Sequence, residues 1–199
     1  MPLVTPIPPD QAPLLAKPFY GDGDPGPITA TLAHVPELLE VGLPFIGAVL
    51  SPSDIDVRTK EIVILRTSAQ LACRYCIDSH TPVALDSGLT HAEVRALREV
   101  ESTSHGRVTA MEDAFPAPRD LALIAWTDGV ALGPGPVAPH AAALAGEHFA
   151  EHEIVELTLL VGTTLLLNRF ATSLQLPVHE STLQRLVVEG FRSESEGPA

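Results

Sequence analysis

The only two cysteines of the chain, Cys73 and Cys76, form a C-x-x-C pair, and the reactive residues of the sequence are concentrated around them. His80 follows the second cysteine by four positions, and Glu61 precedes the first by twelve. Two thiols at this separation can close a small disulfide where the backbone turns tightly. The first turn of a helix supplies that geometry, and its amide dipoles favour a thiolate. The four residues therefore predict a redox site.

Helices on both sides of Cys73 would bring these groups together. A helix that starts there puts Cys76 and His80 on one face, since residues four apart on a helix are neighbours. The imidazole can then take or share the thiol proton, directly or through a water. The apolar pattern of residues 55–72 predicts a long preceding helix with Glu61 on its packed side.

The cysteine pair has other interpretations that the residues alone leave open. A thioredoxin-type site needs a strand before the pair, and the flanking patterns are helical. A zinc site could use Cys73, Cys76 and His80, with Glu61 as a fourth ligand. Two buried thiols could also serve simply as small apolar side chains.

Composition narrows the class of protein. The chain has 199 residues, 45% of them apolar, which is enough for a hydrophobic core. Its 12 basic and 25 acidic residues give a formal net charge of −13, so nucleic acids and anionic membranes are not expected partners. No secretory signal pattern and no uninterrupted apolar run of membrane-spanning length stand out, and we expect a cytoplasmic protein. In such a protein a close cysteine pair indicates catalysis, redox chemistry or metal binding more than a structural disulfide.

The rest of the pattern predicts an all-α protein, because no convincing set of alternating strands is present. Residues 1–27 are rich in proline and predict an extended arm that lies along a neighbouring surface or is disordered. A single domain is predicted over 28–191, and a flexible tail over 192–199. Inside the domain, helices are predicted at 36–50, 55–72, 74–86, 91–100, 120–132, 140–146, 151–174 and 178–191, with a polar loop over 101–119. The capping box of Thr90 and Glu93 marks one helix start, and Gly88 marks the end of the helix before it.

Other motifs carry less weight. The H-x-x-E-H match at His148, Glu151 and His152 is a metallopeptidase pattern, but it straddles a predicted helix start and is interpreted as a solvated helix end. Helix 151–174 is apolar nearly all round, which predicts a central position or a subunit interface. No nucleotide-binding glycine motif is present, so no cofactor is expected. The remaining histidines have no evident partners and suggest surface or capping roles: His34, His91, His105, His140 and His179.

The pattern of Glu61, Cys73, Cys76 and His80 between a helix and a helical hairpin resembles the carboxymuconolactone decarboxylase superfamily, and within it the alkylhydroperoxidase D-like branch. The stretch from His148 to the Asn-Arg-Phe at 168–170 is similar to the long C-terminal helix of that family. The resemblance covers about residues 35–176 and leaves out the arm and the tail.

The resemblance implies an AhpD-like helical fold and a role for each site residue. Cys76 would attack a hydroperoxide, Cys73 would resolve the product to a disulfide, and an external dithiol or protein reductant would reduce that disulfide. His80 would accept the proton and Glu61 would orient or protonate His80. Some members carry a histidine between the cysteines, where this chain has Arg74 and Tyr75.

The resemblance also implies homo-oligomers, commonly trimers or hexamers, and no cofactor. Three other functions stay open: a thiol–disulfide electron-transfer partner, a zinc-binding module, and a decarboxylase of the kind that lacks the cysteine pair.

Overall fold

In the computed structural model, which describes residues 2–21, 23–99 and 111–193, regular secondary structure is helical and no strand is found in those ranges. The prediction of an all-α protein is therefore confirmed. The helices are α1 Pro27–Leu32, α2 Pro36–Leu50, α3 Val57–Gln70, α4 Arg74–Asp86, α5 His91–Arg98, α6 Pro118–Leu132, α7 Pro139–His148, α8 Glu151–Leu174 and α9 Glu180–Val188.

Helix α3 lies at the centre of the molecule and packs against α4, α5, α6 and α8. Almost every side chain from Thr59 to Ala69 is buried, including two cations. Lys60 is neutralised by Glu156, with 2.6 Å between Nζ and Oε1, and also donates to the carbonyls of Val49 and Ser51. Burial of a charge is tolerable only with such partners. The central helix is therefore fixed by polar contacts as well as by apolar packing.

Local sequence explains most helix ends. The capping box is present at α5, where the Thr90 hydroxyl accepts from the Glu93 amide at 3.2 Å and the Glu93 carboxylate accepts from the Thr90 amide at 2.7 Å. Gly88 has φ +97°, the left-handed conformation expected after α4. Asp56 caps α3 by accepting from the Thr59 amide at 2.7 Å, so α3 begins two residues later than predicted.

Several predicted boundaries were wrong, most clearly those of the polar loop and of the last helix. Residues 111–114 are helical, and Met111 and Phe115 are buried, so the predicted polar loop ends in a packed turn. Residues 101–110 of that loop, and residue 100 before it, lie outside the described ranges. The last helix, Glu180–Val188, is shorter than predicted. The His179 side chain caps its start by accepting from the Ser181 amide. Of the predicted tail, only 192 and 193 are described.

The proline-rich arm is bound to the helices of its own chain over residues 2–21. It contains two short 3-10 turns, Pro9–Gln11 and Lys17–Phe19. Its backbone donates from Leu3 to Leu174 and from Ile7 to Ala30, each at 2.9 Å. Three buried side chains of the arm, Ala12, Ala16 and Tyr20, form a small second core with Ala33 at the end of α1 and Leu39 of α2.

Helix α8 is long and apolar enough to cross a membrane by length and composition alone, with a mean hydropathy of 1.5 over its most apolar 18 residues. In the sequence this helix is apolar nearly all round but contains no uninterrupted apolar run of membrane-spanning length, because polar residues interrupt it. Those polar residues, Thr163, Thr164 and Asn168, are buried inside the protein. Only 39% of that 18-residue stretch is buried, however, so much of this apolar helix faces outward.

Candidate redox site

A tight turn between α3 and α4 places the two cysteines. Ala72 has φ +52°, a left-handed conformation that is uncommon for a residue with a Cβ atom, and it reverses the chain after α3. The Cys73 amide then donates to the Ser68 carbonyl at 3.0 Å, and Cys73 becomes the N-cap of α4. Its sulfur accepts from the Cys76 amide at 3.4 Å. The predicted position of the pair, at a helix start, is therefore found.

Both thiols are free and almost completely enclosed. Cys73 is 0% exposed and Cys76 is 6% exposed. Their walls are apolar and come from α1, α4, the end of α8 and the segment after it: Ile28, Tyr75, Phe170, Ala171, Leu174 and Leu176. Water is thus largely excluded from the sulfurs, while Cys76 retains the small exposure that a substrate needs.

His80 and Glu61 form a hydrogen-bonded pair that joins α4 to α3. The Nδ1 atom of the imidazole lies 3.0 and 3.2 Å from the two carboxylate oxygens. The Glu61 side chain is buried, whereas that of His80 is 27% exposed. A carboxylate that binds Nδ1 fixes the ring and leaves Nε2 as the nitrogen that can exchange a proton with a thiol or with water.

The two thiols share one proton unequally. The pKa of Cys73 is lowered to about 7, chiefly because its sulfur accepts a hydrogen bond from the Cys76 side chain. The Thr172 hydroxyl, the Cys76 amide and the nearby His80 lower it further, against the opposing effect of burial. The pKa of Cys76 is raised because its thiol donates to Cys73 and because burial and the Cys73 charge disfavour a second thiolate. Cys73 is therefore the thiol that ionises first, while the proton stays on Cys76.

The two residues between the cysteines do not add charge to the site. The Arg74 side chain is 57% exposed and its Nε atom lies 3.8 Å from Asp78, so it pairs away from the thiols. Burial raises the pKa of Tyr75 to about 12, against the opposing effect of Ser79. Tyr75 is thus a neutral wall of the pocket.

Sequence reasoning missed a buried polar anchor on α4. Asp78 is 2% exposed and pairs with Arg98 at 3.3 Å and Arg192 at 3.5 Å. Burial raises the pKa of Asp78 although the arginines oppose this effect. Asp78 lies between Cys76 and His80, so the anchor holds the helix that carries both. A carboxylate at that position was visible in the sequence, but its buried partners Arg98 and Arg192 are 20 and more residues away.

Ser68 and Thr172 were also missed. The Ser68 hydroxyl acts to lower the pKa of Cys76, and the Thr172 hydroxyl acts to lower the pKa of Cys73. Ser68 is five positions before Cys73, at the end of a buried helix face. That spacing was the only indication in the sequence that Ser68 lies near the cysteines.

The other histidine predictions have mixed outcomes. His148 ends α7 while Glu151 and His152 open α8, so the H-x-x-E-H match straddles a helix start, as predicted. His179 is a cap, also as predicted. The expectation of no partners was wrong for His91, which lies 3.0 Å from Glu189 and stacks on Phe191.

His34 also has a partner, because its Nε2 atom lies 2.9 Å from the Thr5 carbonyl oxygen. His105 falls outside the described residues. Within the ranges that the structure describes, no group of three or more His, Cys, Asp or Glu side chains is arranged to hold a metal ion.

Residues 36–120 match the carboxymuconolactone decarboxylase family. This segment runs from the start of α2 into α6 and includes all four predicted site residues. No curated protein is similar enough in sequence to match the chain.

Solved structures show the same fold at low sequence identity. A peroxidase-related protein from Ralstonia eutropha, described as an alkylhydroperoxidase AhpD core, is 17% identical over 90% of this chain and 96% of that one, with a TM-score of 0.70. A putative antioxidant defence protein AhpD of unknown function from Agrobacterium tumefaciens is 20% identical over 68% of this chain and 88% of that one, with a TM-score of 0.56. The debrominase Bmp8, solved as a cysteine-to-alanine variant with 2,3,4-tribromopyrrole, is 16% identical over 96% and 97% of the two chains, with a TM-score of 0.68.

Proposed function

We propose that this chain is a thiol peroxidase, from the premise that residues 36–120 match the carboxymuconolactone decarboxylase family and that the chain shares the fold of an alkylhydroperoxidase AhpD core. Its substrates are organic hydroperoxides or hydrogen peroxide. The observation that supports the proposal best is the juxtaposition at α4: a dithiol with one shared proton at the helix start, and one turn later a histidine held by a buried carboxylate.

In the proposed reaction Cys76 attacks the peroxide. Its proton must leave first, and two acceptors are at hand: the Cys73 thiolate and the Nε2 atom of His80. The Cys76 thiolate forms an S–O bond as the O–O bond breaks, so the sulfur loses two electrons and becomes a sulfenic acid. The leaving alkoxide takes up a proton, which His80 can supply while Glu61 stabilises the imidazolium.

Cys73 then completes the cycle. Its thiolate attacks the Cys76 sulfur, an S–S bond forms, the S–O bond breaks, and the oxygen leaves as water after it gains a proton. An external dithiol or a protein reductant returns two electrons and two protons to the disulfide. No cofactor is required.

The proposal extends to partners and location. We propose a homo-oligomer, a trimer or hexamer, in which the outward apolar surface of α8 is covered. The net charge of −13 favours neither nucleic acids nor anionic membranes as partners, and the dithiol suits the reducing cytoplasm.

The test is to count thiols before and after peroxide. The reduced protein receives one equivalent of an alkyl hydroperoxide, and intact mass and free thiols are followed beside Cys76→Ser and Cys73→Ser variants. We expect rapid loss of both thiols in the native chain. The Cys73→Ser variant should instead stop at a sulfenic acid, and the Cys76→Ser variant should not react. Retention of both thiols under excess peroxide would overturn the proposal, and stoichiometric zinc in the purified protein would then favour a metal-binding module.

The similarity to the debrominase Bmp8 over 96% of the chain supports a second candidate, reductive dehalogenation. A dithiol can supply the two electrons that replace an aryl bromide with hydrogen, releasing bromide and leaving a disulfide. Incubation of the reduced protein with 2,3,4-tribromopyrrole distinguishes the two activities. Bromide release with loss of two thiols would favour the dehalogenase, whereas peroxide consumption alone would favour the peroxidase.

A further inference from the structure

Ser68 has a hydroxyl without an ordinary partner. Its side chain is fully buried in α3. A buried Ser or Thr in a helix commonly donates to the carbonyl four residues earlier. In this chain Thr81, Thr127 and Thr164 all do so, at 2.7–2.8 Å. The Ser68 Oγ atom makes no such bond and has no partner within the described ranges.

The position of Ser68 explains why its hydroxyl has no partner among the described residues. Its carbonyl accepts from the Cys73 amide at 3.0 Å, so the backbone of Ser68 is part of the turn that holds the dithiol. Its hydroxyl is near enough to Cys76 to lower the pKa of that thiol, although at rest it makes no hydrogen bond in the described part of the chain. At rest Cys76 is a thiol that donates to Cys73, and it offers a serine hydroxyl only a weak acceptor.

We propose that Ser68 is a preorganised hydrogen-bond donor to the Cys76 sulfur, which engages fully when that sulfur becomes a thiolate and attacks. The free donor at rest means that the bond is stronger at the moment of attack than before it, and only such interactions accelerate the chemical step. The inference rests on the proposed function in one respect, namely that Cys76 is the attacking thiol. The same hydroxyl also lowers the pKa of Cys76, as a donor to the thiolate must.

The chain offers a matched control in the adjacent residue. Thr67 is also fully buried on α3, and its hydroxyl also has no partner within the described ranges. One residue along a helix is a rotation of about 100°, so Thr67 points away from the direction of Ser68. Loss of a buried unpaired hydroxyl is thus common to both substitutions, and loss of the contact with Cys76 is specific to Ser68.

The experiment measures Cys76 alone, in a Cys73→Ser background. The rate of alkylation by iodoacetamide is followed against pH for this parent and for the added substitutions Ser68→Ala, Ser68→Thr and Thr67→Val. Ser68→Ala, which removes the donor, should raise the pH midpoint of Cys76 alkylation by about one unit. It should also slow alkylation at neutral pH about tenfold. Ser68→Thr, which keeps the hydroxyl, and Thr67→Val should keep the parent midpoint. A Ser68→Ala profile that coincides with that of Thr67→Val overturns the inference.

Peroxide supplies an independent readout. In the native background Ser68→Ala should slow disulfide formation by a similar factor at neutral pH. If no variant reacts with peroxide but the alkylation shift is present, the proposed function fails and the role of Ser68 as a donor stands. If peroxide reacts equally fast with and without Ser68 and the alkylation midpoint is unchanged, Ser68 is not the donor and the peroxidase proposal survives.

Discussion

At the scale of single residues, the Glu61–His80 pair gives the most direct prediction. Glu61→Gln keeps the size of the side chain but removes the charge that stabilises a protonated imidazole. We expect peroxide-driven disulfide formation to slow by about 100-fold, the lower end of the range for general acid–base catalysis, because Glu61 acts through His80. Stopped-flow thiol measurements test this, with thermal melting as a check on folding. An unchanged rate in a folded variant would remove Glu61 from the relay.

The pKa of Cys73, about 7, predicts a pH dependence with a definite sign. The folded protein releases this proton at a lower pH than an unfolded chain does, since the ordinary thiol pKa is 9.0. Stability should therefore rise between pH 7 and 9 and be lost as the pH falls through 7. Above pH 9 the raised pKa of Cys76 reverses the trend, because only the unfolded chain then releases a second proton.

Ultraviolet thiolate absorbance measures this titration directly. One thiolate per chain should appear around neutral pH, and the step should be absent at that pH in a Cys73→Ser variant. Two thiolates below pH 9 would contradict the shared proton.

The spacing was sufficient to predict that the cysteine pair lies at a helix start, with His80 one turn after Cys76, because helical periodicity governs it. The order of proton release was not predictable. It depends on which sulfur is the N-cap and on a threonine about 100 residues later that lies against Cys73. The resemblance implies attack by Cys76, yet Cys73 is the thiol that ionises first. A proton must therefore move between the sulfurs, or to His80, before the attack.

At the scale of elements, the position of α3 determines the site because α3 carries Glu61 and Ser68. The buried Arg66 fixes it to α6: its Nε and Nη2 atoms each lie 2.7 Å from a carboxylate oxygen of Asp128. Asp128→Ala would leave a buried cation without its counterion, and we expect a loss of about 3 kcal/mol in the free energy of unfolding. Urea denaturation measures it.

The exposed pair of Arg185 and Asp86 is the matched control, with an equally close contact of 2.5 Å. Asp86→Ala should leave the urea midpoint almost unchanged, because solvent screens an exposed pair. Equal losses for Asp128→Ala and Asp86→Ala would show that burial does not govern the contribution of the Arg66 pair.

Helix positions were predictable where local signals are strong. Helices α2, α4 and α8 have the predicted bounds, and α2 continues through Pro44 without interruption. The helical turn at 111–114 was missed because only its packing, through Met111 and Phe115, distinguishes it from the polar loop before it. Tertiary contacts decide such short segments, and a local pattern contains no information about them.

At the scale of the whole molecule, the arm and the apolar surface of α8 are related. The arm adds a second core against α1 and α2 and reaches the end of α8 through the backbone bond from Leu3 to Leu174. An open apolar hollow with a volume of about 210 Å³ remains beside that core, between α2 and α8. Large side chains are exposed at and near its rim: Leu38, Val41, Phe45 and Leu166. A contiguous exposed apolar surface of this kind typically marks an interface.

This surface leads to the prediction on assembly. Light scattering at micromolar concentration should give a mass of three or six chains for the native protein. Leu166→Glu, on the rim of the hollow, should lower that mass, because an interface buries charge only at high cost. Val188→Glu on α9 is the control: Val188 is 85% exposed, more than Leu166 at 60%, but lies outside the hollow, so the mass should be unchanged. A native mass of one chain would contradict the oligomer. An equal reduction by Leu166→Glu and Val188→Glu would place the interface elsewhere or assign the loss to added charge alone.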